Sequence, residues 1–109
     1  MKSSAIKIGN RIYSIASVDD ESFDLFLSQR GVTDEEIKSL IDYDDQIILV
    51  REKLQKDHKK ELILHEIIHS CIEDAGLPQD EVAENFIRVL SPRFACLFED
   101  LPEVLNECV

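Results

Sequence analysis

The stretch 61–75, ELILHEIIHSCIEDA, constrains this chain more than any other, because it brings two histidines together only as a helix. His65 and His69 are four residues apart, so on an α-helix they stand one above the other on a single face. Both imidazoles can then reach one metal ion, and Glu66, next after the first histidine, lies beside the same opening. Leu62, Ile63, Leu64, Ile67, Ile68, Cys71 and Ile72 surround the pair, so the segment is apolar nearly all round and reads as a buried helix. Buried imidazoles need partners for their ring nitrogens. Core hydrogen bonds would satisfy a lone histidine; two at ligand spacing, with the glutamate in place, point to a metal.

The pattern H-E-x-x-H supplies two nitrogen ligands for zinc and a carboxylate able to activate a water. A catalytic zinc site takes three protein ligands and leaves one position open, so a third ligand must come from outside the helix. Glu81, twelve residues after His69 and beyond the turn at Gly76-Leu77-Pro78, is the first candidate. Asp80, which borders the apolar face of the next helix, and Glu84 compete with it. Counting 100° per residue turns Glu81 away from that face, as for a solvated acid near a helix N-terminus. His58 lies in a charged run and reads as a surface residue, and Cys71, turned from the histidine face, as packing. With the site complete, zinc would acidify a water and polarise a carbonyl, Glu66 would move the proton, and an oxyanion donor would help. Tyr13, Tyr43 and Arg88 are candidates for that donor, and no spacing selects among them.

At 109 residues the chain is one small domain, spanning 1–109. Its net charge of −11 argues against nonspecific nucleic-acid or anionic-membrane binding and leaves a basic protein partner open. No apolar run is long enough to cross a bilayer, and MKSSAIKIGN lacks the apolar core of a signal peptide, so the chain reads as cytoplasmic. Cys71, Cys96 and Cys108 are odd in number and widely spaced, as reduced thiols are.

Residues 5–16 alternate apolar and polar positions about Gly9-Asn10, a hairpin pattern. Asp19-Asp20-Glu21 places acids at the start of a helix carrying Phe23, Phe26 and Leu27. Thr33-Asp34-Glu35-Glu36 has the form of a capping box for a short helix through Leu40, against a competing reading of residues 39–43 as a strand. QIILV, 46–50, is the clearest strand. The histidine helix ends near Gly76. Pro78 then opens a helix with one apolar face, Ser91-Pro92 starts another, and Asp100-Leu101-Pro102 a last short one. The sum is an α+β fold, a small N-terminal antiparallel sheet packed with helices from the second half.

The order of QIILV, a charged lead-in, HEIIH, the Gly76-Leu77 loop, DEVAENFIRVL and LSPRFACLFEDLPEVL resembles the small zincin-like metallopeptidases of phages and mobile elements, relatives of the ImmA/IrrE group. The resemblance runs from about Ile6 to Leu105, with HEIIH its one specific motif. It implies a minimal zincin-like domain with zinc held by His65, His69 and an acid of DEVAENF, Asp80 or Glu81, and with Glu66 as catalytic acid and base. It also implies peptide-bond cleavage in a specific protein substrate, with a regulator as the first candidate. Two other classes fit the residues: a zinc-stabilised protein-binding module without catalysis, and an acidic decoy of a DNA-binding protein that needs no metal.

Overall fold

In the computed structural model, residues 2–34 and 36–108 are described. Two strands, β1 (Lys2–Ile8) and β2 (Arg11–Val18), form the expected hairpin, with Ile8 opposite Arg11 across Gly9-Asn10. Gly9 has φ +60°, and a left-handed first turn residue is what a two-residue hairpin of the II′ kind needs. The space a side chain would occupy at Gly9 is filled by the Asp74 carboxylate, so the turn also rests on the end of the histidine helix.

Helix α1 (Asp20–Gln29) is capped by Asp19, whose carboxylate accepts from the Ser22 N–H at 2.7 Å. The proposed helix after Gly31 does not form. Asp34 instead closes a turn by accepting from the Glu36 N–H at 2.9 Å, and β3 (Ser39–Asp42) follows, so the strand alternative holds. Glu35, the middle of that capping-box pattern, lies outside the described residues. The physical reason is β4 (Ile47–Arg51), whose free edge takes residues 39–42 as an antiparallel neighbour, with Leu40 opposite Leu49 and Ile41 opposite Ile48.

The four strands run in the order β1-β2-β4-β3, and β2 pairs with β4 in parallel. The sheet is therefore mixed, not antiparallel as expected; α1 and β3 fill the crossover that a parallel pair requires. Both faces are covered, which is why IILV shows no polar alternation. Leu49 packs with Val18, Phe23 and Leu27 on the α1 side, and Ile48 with Ile8, Tyr13 and Ile67 on the other. Arg51, 4% exposed, ties the α1 side together: it bonds the Ile37 carbonyl, Asp20 and Asp24, and its guanidinium lies 4.2 Å from the Phe23 ring centre.

Helix α2 (Lys56–Asp74) crosses that second face and α3 (Glu81–Cys108) packs on α2. Gly76, φ +70°, ends α2 with paired bonds from its own N–H to the Glu73 carbonyl and from Leu77 to Ile72. The expected C-terminal series of short helices is one continuous helix with Pro92 and Pro102 inside it. Ser91 does not cap a new start; its hydroxyl donates to the Ile87 carbonyl, and the Arg93 guanidinium donates to Val89. These side-chain bonds flank the carbonyl of Arg88, which loses its donor at Pro92. The buried line Ile87-Ser91 keeps the helix on α2 through the proline. No described helix is long and apolar enough to cross a membrane.

Candidate metal centre

On α2, the expectation of an apolar buried helix is corrected in an informative way. Its most buried residues are Glu66 and Ser70, and the aliphatic residues around them are half-buried. In so small a domain, α2 has the sheet on one side and α3 on another, and the rest of its surface meets solvent. Cys71 is exposed rather than packed, and takes no part in the histidine cluster.

His65 and His69 bring their Nε2 atoms to 3.2 Å of each other, with ring centroids 4.9 Å apart. Glu84 completes the group from α3: its Oε1 is 3.2 Å from His65 Nε2 and its Oε2 2.8 Å from His69 Nε2. A tetrahedral zinc with ligands at about 2.0–2.1 Å sets neighbouring donor atoms about 3.3 Å apart, so the three donors stand close to the spacing one ion needs. His₂Glu is also a donor set that catalytic zinc sites use, leaving one position open.

Glu84, not Glu81, is thus the acid that meets the histidines. Glu84 stands three residues before the buried Ile87, on the side of α3 turned towards α2, whereas Glu81 is exposed outside the group. Asp80 is occupied as the N-cap of α3, its carboxylate accepting from the Ala83 N–H at 2.9 Å. His58 is half-buried and does not join the cluster. Nothing in the sequence singled out Glu84, which lies far round α3 from most of its apolar residues; it is the burial of Ile87 and Ser91 against α2 that turns it to the histidines.

Gln79 was missed as a site residue. Its amide NH₂ donates to the His69 backbone carbonyl at 2.7 Å and to the Tyr43 hydroxyl at 3.2 Å, which turns its Oε1 to His69 Nδ1 at 2.9 Å. A carbonyl oxygen only accepts, so Nδ1 carries a proton there, and Nε2, 2.8 Å from the Glu84 carboxylate, is the nitrogen that a bound metal would take. The rule that a ligating histidine needs a partner for its second nitrogen would have pointed to the loop between the helices.

Burial dominates the electrostatics. It holds the His65 pKa below its ordinary value, helped by His69 and Arg88 and opposed by Glu84, which keeps the ring neutral and able to ligate. Burial pushes Glu66 up to about 7, with His69 pulling it down and Glu84 adding to the rise. A carboxyl with that value can both take and give a proton near neutrality. Burial also raises Tyr43 to about 12, with Glu66 and Glu73 adding to it, so its phenol stays a donor. Tyr13 is locked in the core, which leaves Tyr43 the tyrosine linked to this centre. No family model matches the chain, and no curated protein or solved structure shows detectable similarity to it.

Proposed function

We propose that this chain is a zinc-dependent metallopeptidase that hydrolyses a peptide bond in a specific protein. The observation that carries this reading is the convergence of His65, His69 and Glu84 beside a buried Glu66. Zinc in that set would supply a Lewis acid and a water acidified to near neutrality. Glu66 takes the proton from the attacking water and later delivers it to the leaving amine, a two-way role that its raised pKa suits. Gln79 fixes the ring of His69, and because the Tyr43 oxygen accepts from Gln79, the phenolic proton is free to point at a developing oxyanion. A regulator as substrate is what the ImmA/IrrE resemblance implies.

A second reading has its own support: Glu84 joins α3 to the histidines of α2, so an ion would staple the two helices in a binding module without catalysis. Elemental analysis and a quenched fluorescent peptide mixture separate the readings. One zinc per chain, lost in a His65→Ala, His69→Ala double variant, with cleavage abolished by Glu66→Gln at full zinc occupancy, supports the peptidase. Zinc without cleavage supports the staple, and a chain that binds no zinc after reconstitution refutes both.

A further inference from the structure

The outer surface of α3 carries more exposed apolar area than a monomer's helix needs. Val82, Phe86, Val89, Leu97 and Val104 are each at least half exposed. At 100° per residue, Phe86, Leu97 and Val104 fall within about 20° of one line, roughly 90° round the helix from the buried Ile87. From Val82 to Val104 the stripe is about 33 Å long. It lies about 150° round α3 from Glu84, so whatever sits on it leaves the metal centre open.

The charge beside the stripe selects its occupant. From Glu61 onward the chain holds eleven acids and two arginines, and from Phe94 to Cys108 it holds four acids and no basic residue. Asp100 and Glu107 border the C-terminal half of the stripe, about 40–60° round from Val104, with Glu103 about 100° round. None of the three has an ion-pair partner among the described residues; Glu99, further round, reaches Lys60 at 3.8 Å, and Arg93, beside the middle of the stripe, donates to the Val89 carbonyl. A second copy laid on this face would set acid against acid, and an anionic bilayer would be repelled. We propose that the outer face of α3 docks a cationic amphipathic helix of a partner protein, about twenty residues long, whose apolar ridge fits the stripe while its lysines or arginines meet the acidic border. The surface stands independently of the metal reading.

The test uses the full chain and a labelled 22-residue Leu/Lys amphipathic peptide, with fluorescence anisotropy at low and high salt. Saturable binding is expected, several-fold weaker at high salt, with none for the Leu/Glu counterpart. Phe86→Ser with Leu97→Ser alters exposed side chains and keeps every charge, and should weaken binding at least tenfold with the circular dichroism unchanged. Asp100→Asn with Glu103→Gln and Glu107→Gln should remove most of the salt dependence. Equal binding by the Phe86→Ser, Leu97→Ser variant would mean charge attraction alone and overturn the proposal. So would a dimer in sedimentation that this variant abolishes, or binding to phosphatidylglycerol vesicles in place of the peptide. His65→Ala, His69→Ala protein should bind the peptide as the parent does, so loss of the metal site and loss of this surface read out separately.

Discussion

Gln79 offers the sharpest perturbation of the proposed centre, because its two ends do different things. Its oxygen accepts from His69 Nδ1, and its nitrogen donates to the His69 carbonyl and the Tyr43 hydroxyl. Gln79→Leu removes all three bonds. Losing the partner of a ligating histidine typically weakens metal binding about 10–100-fold. Here the Nδ1 bond lies at the surface, where water can replace the lost acceptor, so the low end, about tenfold or 1.4 kcal/mol, is expected. Gln79→Glu keeps the acceptor and makes it a carboxylate, which raises the basicity of the ring, but it cannot donate to the carbonyl. Zinc affinity should therefore match or exceed the parent's, while stability falls by about 1–2 kcal/mol as it does in Gln79→Leu. Competition against a chromophoric chelator gives the affinities, and urea unfolding of metal-free protein gives the stabilities. If both variants lose zinc affinity equally, Gln79 acts only by holding the loop, and the assignment of the His69 tautomer fails.

Three further outcomes follow from the same geometry. Glu84→Gln should abolish retention of zinc through gel filtration, whereas Glu81→Gln should leave one zinc per chain; the reverse result would restore Glu81 as the ligand. In metal-free protein Glu66 has an ordinary value of 4.5 when unfolded and about 7 when folded. The unfolded chain then gives up its proton first as pH rises, so stability falls between about pH 4.5 and 7, by about 3 kcal/mol in all. Glu66→Gln should flatten that profile and raise the melting temperature at pH 8, and an unchanged slope would show that Glu66 is not the titrating group. Pro102→Ala should stabilise the chain by about 1–3 kcal/mol and add helicity, because an exposed proline interrupts a helix interior; destabilisation would show instead a separate helix beginning there.

Most elements were legible because local signals agreed with tertiary demand: Gly9-Asn10 for the hairpin, Asp19 for the α1 cap, Gly76 for the end of α2. Where they disagreed, packing won. Residues 33–36 look like a helix start, but the open edge of β4 recruits the next four-residue strand. Ser91-Pro92 and Pro102 look like helix starts, but the surface of α2 holds α3 straight through them. The unbroken run IILV marks β4 as covered on both faces, but that does not say which neighbour runs parallel to it, so the pairing of β2 with β4 could not be read from the strands. At the site, the histidines and Glu66 were readable because their spacing lies within one helix. The third donor and Gln79 depend on how α3 turns against α2, which the counting of acids near its start could not supply.

Removal of metal is where the proposed centre and the fold meet. A ligand that binds only the folded chain stabilises it by about 4 kcal/mol when free zinc exceeds the dissociation constant a thousandfold. Two ligands come from α2 and one from α3, so chelation should lower the melting temperature of the parent and of Glu66→Gln alike, and leave Glu84→Gln unmoved. That result would hold for a structural staple as well as for an enzyme, and Glu66 is what separates them. Glu66 is only 6% exposed and burial raises its carboxyl to about 7 in the metal-free chain, so ionising it there costs the fold stability that an aliphatic residue would not. A staple gains nothing from such a group. A hydrolase needs it, poised beside the ligands with a pKa near neutrality, and the stability it gives up is the physical argument for catalysis over packing.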